Sequence, residues 1–306
     1  MRPSIIPLTL AAVTSLTAQV RFAPGSVNIT IDGKPFTTFH YGAAANKPYL
    51  APIRSASGKI VTRGFPMEMI TGESRDHLHH RGLWFTYDDV NGVKFWENDP
   101  SYKKGRIGKV VVKDARWKDG AKQGVLTAAM EWQDPEGGVL LIENRDMTFS
   151  GDANLRVIDF HIVLTAAQDV TFGDTKEGAF AIRLAEPFTE RRGGKMTDAD
   201  GRTGMANVWG KRSNWVDYTA ELDGEQLGVV ILSYPSNPNS PPYWHARDYG
   251  LFSLNPFGQN AFDKNAEERK TQLAKGQKLT YRWRVVVHPG DAAAVPDLYK
   301  AYTGGK

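Results

Sequence analysis

Three histidines fall within four positions, His77, His79 and His80, inside the run Asp76 to Asp89 that reads DHLHHRGLWFTYDD. Histidine titrates near neutrality without help and is the commonest metal ligand. Such a cluster, beside Arg81 and ahead of Asp88, has the side chains for proton transfer or for metal binding. Side chains alternate across a strand. In a strand His77 and His79 would point one way and His80 the other, whereas a loop would let all three converge; the sequence leaves both open. A divalent metal held by His77, His79 and His80 would need a carboxylate from elsewhere to complete a two-histidine, one-carboxylate set. The helical HExxH spacing is missing, and with no cysteine in the chain thiolate-rich zinc sites are excluded.

Two further stretches break the strand pattern with charged residues. One is GDTKEG, holding Asp174, Lys176 and Glu177; the other is WHARDYG, holding Trp244, His245, Arg247 and Asp248. Loops on a rigid scaffold are where binding and catalytic residues collect. If the three stretches meet, His79 or His80 with His245 are the acid and base candidates, and Glu177 is the complementary carboxylate. Arg81, Arg183 and Arg247 could hold anionic or hydroxyl groups, with Asp88, Lys176 and Asp248 as further polar contacts. Trp84 or Trp244 would stack on a sugar ring; the plainer alternative is that each fills the core. His40, His161 and His288 stand alone, and lone histidines are more often satisfied structural groups than catalytic ones. No G-x-S-x-G elbow is present, and Gly201-Arg202-Thr203-Gly204 lacks the strand-to-helix setting of a phosphate loop.

The elements that must carry these groups read as strands. Val27, Ile29 and Ile31 alternate with polar residues before an Asp32-Gly33 turn, and Asn91-Gly92 and Asp223-Gly224 repeat that hairpin signal. Gly105 to Leu184 reads as a meander, its clearest strand placing Ile158, Phe160, Ile162 and Leu164 on one face. Lys47–Arg63 and Glu190–Asn207 read as long loops, and Asp291 to Tyr302 as a short C-terminal helix that Asp291 can cap and Pro296 delays. Arg2, the apolar run Ile5 to Leu16 and the small Thr17-Ala18 have the form of a secretory signal peptide over residues 1–18. That leaves 19–306 as a single antiparallel β-sandwich domain, in the periplasm or secreted. The apolar run is too short to span a membrane. The formal charge of +4 is spread along the chain, without the basic stripe that nucleic acid would demand.

HHRGLW (His79–Trp84), GDTKEG (Gly173–Gly178), and WHARDYGLF with NPFG (Trp244–Gly258) resemble the PmoA-like bacterial family, a domain of unknown function labelled "methane oxygenase". The resemblance runs from about Val27 to His288. The label would imply a membrane subunit, which a chain without a membrane span does not fit. The family is similar in fold to galactose-mutarotase-like supersandwiches, whose members use a histidine acid and a glutamate base at a sugar's anomeric centre. The resemblance implies a carbohydrate-active protein of epimerase, lyase or glycoside hydrolase type. Two alternatives come from other classes: a non-catalytic glycan-binding module, and a metal-dependent oxidoreductase as the label would have it.

Overall fold

A computed structural model describes residues 18–42, 44–120 and 122–304. The leader expected over residues 1–18 lies outside them except for Ala18, which opens the first strand opposite Ile31. In chain order the strands are β1 (Ala18–Ala23), β2 (Ser26–Ile31), β3 (Lys34–His40), β4 (Tyr49–Leu50), β5 (Leu83–Tyr87) and β6 (Lys109–Asp119). Next come β7 (Gln123–Gln133), β8 (Val139–Gly151), β9 (Arg156–Ala166), β10 (Val170–Phe172), β11 (Gly178–Arg183) and β12 (Lys195–Asp198). The last six are β13 (Trp215–Leu222), β14 (Glu225–Ser233), β15 (Tyr243–Ala246), β16 (Leu251–Asn255), β17 (Thr271–Leu273) and β18 (Lys278–Pro289).

They form two eight-stranded antiparallel sheets and a two-stranded ribbon. The first sheet runs β1-β2-β3-β4-β5-β11-β16-β15, the second β12-β13-β14-β18-β9-β8-β7-β6, and β10 pairs with β17. The fold is thus the all-β antiparallel sandwich expected from the strand pattern. The predicted meander is the consecutive run β6 to β9. Alternation sets which face is buried. Ile158, Phe160, Ile162 and Leu164 of β9 are each at most 3% exposed and meet the inner face of the first sheet, Phe160 lying edge-on to Phe180 at 4.8 Å. Phe85 and Phe180 both pack on Trp283 of β18, at 5.4 and 4.9 Å. Area removed from water is the main stabilising term in such a core.

The three hairpin signals are turns in which both central residues have positive φ: 52° and 71° at Asp32-Gly33, 54° and 74° at Asn91-Gly92, 48° and 78° at Asp223-Gly224. That is the geometry whose twist matches the flanking strands. The helix starts later than its cap. Asp291 accepts the Ala293 N–H at 2.9 Å over a short 3-10 turn, and the α-helix runs Val295–Thr303 with Pro296 in its first turn. Two expected loops contain strands. Lys47–Arg63 carries β4, and Glu190–Asn207 carries a 3-10 turn (Glu190–Arg192), the edge strand β12 and most of a short helix, Met205–Val208. An edge strand needs only one paired side, so β12 forms on little apolar content. Its Asp198 is satisfied by the N–H groups of Asp200 and Arg202, both at 3.0 Å.

Candidate active site

The outer face of the first sheet carries the site. Trp84 of β5 lies opposite Ala181 of β11, which lies opposite Ser253 of β16, which lies opposite His245 of β15. Strands sit about 4.8 Å apart, so three steps separate Trp84 from His245 by roughly 14 Å of sheet. The two residues between are small. The sheet surface is therefore low there, with a large aromatic at one end and an imidazole at the other.

The histidine cluster sits over the Trp84 end, and it is a loop. The His80 N–H donates to the His77 carbonyl at 2.9 Å, and His77 has a φ of 46°. This turn brings all three rings together. His77 and His80 stack with centroids 4.6 Å apart and planes 2° from parallel, and His79 meets His80 edge-on at 4.4 Å. His80 also stacks on Trp84 at 5.3 Å. At Gly82 φ is 55° and a Cβ would sit 2.1 Å from the Leu50 carbonyl oxygen, so only glycine lets the chain turn from this loop into β5.

Arg63 wires the loop in place. Its buried guanidinium donates to the carbonyls of Phe65 (3.1 Å), Ser74 (3.3 Å) and His77 (3.1 Å) and to Asp76 Oδ1 (2.5 Å). Arg183 donates to the same oxygen at 2.9 Å. Burial works to raise the Asp76 pKa, but the bonds from His77, Arg183 and Arg63 outweigh it and hold this carboxyl below the usual range. Nothing in the sequence singled out Arg63, which lies in a loop thirteen positions before Asp76 and gains its role from tertiary contacts alone.

The other wall is fixed by Asp174. Its carboxylate accepts four backbone N–H groups, from Gln259 (2.9 Å), Asn260 (2.8 Å), Ala261 (3.0 Å) and Arg269 (2.8 Å). Charge-assisted bonds of this kind are the strong ones, and they bind the Asp174–Glu177 turn to the loop that follows β16. Glu177 then pairs with the Lys176 ammonium and brings Oε2 within 3.8 Å of His245 Nδ1. The three stretches line one cavity of about 190 Å³: His77, His79 and His80 from the first, Lys176 and Glu177 from the second, His245 and Arg247 from the third. Glu97 and Tyr249 complete its polar wall. At about 30 Å³ per water it holds the volume of roughly six waters, enough for one small polar molecule.

The partners of each ring fix its tautomer. Arg183 Nη1 lies 3.2 Å from His80 Nδ1. Arginine can only donate, so Nδ1 accepts and His80 Nε2 carries the hydrogen. His245 Nδ1 lies 3.1 Å from the Lys176 carbonyl oxygen. A carbonyl can only accept, so Nδ1 donates and His245 Nε2 is left with its lone pair. Burial, helped by neighbouring cations, pushes His79 down to about 2 and His80 well below its ordinary value. Burial also pushes His245 down to about 4, against the pull of Glu177. These imidazoles are neutral at neutral pH: His80 offers a donor and His245 an acceptor. The lining charges balance as well, Lys176 and Arg247 against Glu97 and Glu177.

Several candidates lie elsewhere. Trp84 is 1% and Trp244 0% exposed, and the Trp244 indole donates to the Ser213 carbonyl at 2.8 Å. Both are packing residues, so neither is a stacking platform. Arg81 turns away to Asp99 at 2.9 Å and lies over the Tyr49 ring. Arg183 is 1% exposed and off the cavity lining, where it contacts His80 and the Tyr249 ring. Asp248 is exposed and off the cavity, with its carbonyl taking the Glu190 N–H at 2.8 Å. Asp88 is half-buried and off the lining, its N–H donating to the Glu177 carbonyl at 3.0 Å. The metal set is not assembled either. His77 and His80 pack as stacked rings, and among the described residues no three His, Asp or Glu side chains are grouped to hold an ion. Of the lone histidines, His40 bonds the Ala51 carbonyl and His288 the Asp217 carboxylate.

This architecture and these stretches place the chain in a defined class. Residues 26–300 match the family of unknown function DUF6807, and the protein belongs to that family. The family's description names no oxygenase. No curated protein matches the chain. Among solved structures, a GH36 α-galactosidase from Geobacillus stearothermophilus is similar over 89% of this chain and 40% of its own, at 9% identity and a TM-score of 0.43. An α-galactosidase from Lactobacillus brevis gives 8% identity, 89% and 39% coverage and a TM-score of 0.42. A galactose mutarotase related enzyme from Lactobacillus acidophilus gives 8% identity, 90% and 98% coverage and a TM-score of 0.35. The chain thus spans about two fifths of the length of the α-galactosidases it matches. Among the described residues no helix is long and apolar enough to cross a membrane.

Proposed function

We propose that the protein acts on a neutral sugar by acid–base chemistry, as an epimerase, lyase or glycoside hydrolase type of enzyme, in the periplasm or outside the cell. The observation that carries this is the pair of opposed tautomers, His80 with a hydrogen on Nε2 and His245 without one, on a single charge-balanced cavity. His245 Nε2 takes a proton from a ligand hydroxyl or carbon. His80 Nε2–H hydrogen-bonds the oxygen on which charge builds, as a neutral imidazole can. The His245 imidazolium so formed then returns the proton to the ligand, its charge steadied by the Glu177 carboxylate 3.8 Å from Nδ1. Balanced cations and carboxylates suit a polyhydroxylated neutral ligand better than a phosphate or a polyanion. Secretion is supported by Arg2 and the apolar run Ile5 to Leu16.

A glycan-binding module without turnover would rely on exposed aromatic platforms, which the buried Trp84 and Trp244 do not supply. The test is a screen of neutral monosaccharides in D₂O, read by NMR for exchange of carbon-bound or anomeric protons. His245→Ala is expected to slow exchange by about 10²–10⁴-fold, the range for a lost general base, while calorimetric affinity stays within a few-fold. A His245→Ala protein that turns over at the wild-type rate would sink the reading.

A further inference from the structure

Three arginines near the cavity are engaged by carboxylates: Arg63 and Arg183 by Asp76, and Arg81 by Asp99. Arg247 differs from them. It is on the lining itself, and among the described residues no ion pair holds it. Its Nε is buried and has no hydrogen-bond partner among those residues. Buried donors are nearly always paired, so a guanidinium with unmatched donors on a cavity wall points to a partner that arrives with a ligand. The other charged groups on the lining are matched within the protein. Lys176 pairs with Glu177, and Glu97 lies 3.5 Å from Lys94.

The place of Arg247 is fixed through its backbone. Just past the end of β15, its N–H donates to the Leu251 carbonyl at 2.7 Å, and its carbonyl accepts the Gly250 N–H at 3.1 Å and the Tyr218 hydroxyl at 3.0 Å. Tyr218 is fully buried on β13, so this turn is tied to the second sheet. The guanidinium lies over Tyr249, with Cζ 5.4 Å from the ring centroid. An aromatic face attracts a cation but presents no oxygen or nitrogen acceptor to its N–H groups. Tyr249 is held in turn, by Arg183 over its ring at 4.4 Å and by His77 stacked at 5.5 Å. The donors of Arg247 are thus placed by the fold and left for another molecule.

We propose that Arg247 selects the ligand of this cavity, two of its N–H groups donating to two hydroxyl oxygens on adjacent carbons of a sugar ring. The substrate class is then a neutral monosaccharide with an adjacent pair of free hydroxyls that are not both axial. Guanidinium donors form a rigid, planar fork, which matches two oxygens held side by side and misses a pair that points to opposite faces of the ring. A carboxylate also offers two such oxygens, but it would enter a cavity already lined by Glu97 and Glu177. The choice of a diol rests on the neutral-sugar reading of the site.

The test is calorimetric titration of the full chain with D-glucose, D-galactose, D-mannose and D-xylose, then with each monodeoxy form and the uronic acid of the tightest binder. In wild type, loss of either of two neighbouring hydroxyls is expected to weaken binding about ten- to a hundredfold, the range for a hydrogen bond to a charged group. In Arg247→Met the parent sugar falls to that level, and removing the same two hydroxyls then costs nothing more. Arg247→Lys keeps the charge without the fork and is expected to recover one of the two penalties at most. If Arg247→Met does not fold, the wild-type series and Arg247→Lys decide. Penalties that persist without Arg247, penalised hydroxyls that are not neighbours, or a panel in which no sugar binds each overturn the proposal. A uronic acid that binds more tightly than its parent through Arg247 overturns both the diol and the neutral-sugar reading. Binding that follows the expected pattern without proton exchange in D₂O overturns the acid–base reading and leaves the role of Arg247 standing.

Discussion

Two regions of this molecule bury histidine, and they hold it in opposite charge states. On the second sheet, His288 has Nδ1 2.6 Å from the Pro289 carbonyl and Nε2 3.0 Å from Asp217 Oδ1. Both nitrogens face oxygens that can only accept, so both carry hydrogen and the ring is an imidazolium. Burial opposes that charge, but the bond and charge of Asp217 overcome it and raise the His288 pKa. In the cavity on the first sheet, His79, His80 and His245 are as deeply buried and have no such partner, so burial wins and they stay neutral. One side-chain type thus serves as a structural cation in one place and as a hydrogen-bonding ring with a free nitrogen in the other. The difference lies in whether a carboxylate meets a ring nitrogen directly. Glu177, at 3.8 Å from His245 Nδ1, stands just too far away to do for His245 what Asp217 does for His288.

The contrast breaks most visibly at Asp217. Asp217→Ala would leave the imidazolium at His288, 2% exposed, without its counter-charge. Stranding one member of a buried pair costs roughly 3–5 kcal/mol, read as a lower urea midpoint at unchanged slope. Ligand affinity per folded molecule is expected to stay as in wild type, since neither residue is on the cavity lining. A small loss of stability would show that His288 is neutral and that the two regions do not differ as described.

How much of this contrast can be read before folding depends on the element. Asp32-Gly33 and Asp223-Gly224 fix their turns because few residue pairs tolerate two positive φ values in succession. The β9 alternation fixes a face because the period of two admits one inward set. The histidine cluster, Glu177 and His245 are legible as chemistry because their residue types are unusual in such spacing. Exposure is not encoded by type, so Trp84 and Trp244 read equally well as platforms and as core, and packing decided for the core. Arg63, Tyr102 and Tyr249 are illegible for a different reason: each matters through contacts made only on folding, and a lone arginine or tyrosine in a loop carries no local signal.

The same contrast gives stability a pH dependence with two signs. His288 has a folded pKa above its unfolded value of 6.5, so its contribution is complete below 6.5 and is lost as pH rises through the raised value. His245 has a folded value of about 4, so between pH 6.5 and 4 the unfolded chain binds the extra proton and the fold loses stability on acidification. That window is worth about 3 kcal/mol for a ring this deeply buried. His245→Gln keeps a neutral amide there and is expected to lose less stability than wild type by about that amount between pH 7 and 4. Denaturation curves at the two pH values check it, and equal losses in both proteins would show that His245 is already charged in the native state.

The smallest effect should sharpen the cavity side of the comparison. Tyr102 Oη lies 3.0 Å from His79 Nδ1, a hydroxyl that can either donate or accept. It is therefore the one ring partner in the cluster that leaves a tautomer open, where Arg183 and the Lys176 carbonyl decide theirs. Tyr102→Phe removes the bond and keeps the ring that packs edge-on to His79 at 5.7 Å. The expected cost is about 1 kcal/mol, the usual net value of one such bond. Nitrogen-15 shifts of His79 should change while those of His80 and His245 stay where their own partners hold them. If all three shift together, the cluster titrates and tautomerises as one unit, and the separate assignment of donor to His80 and acceptor to His245 fails.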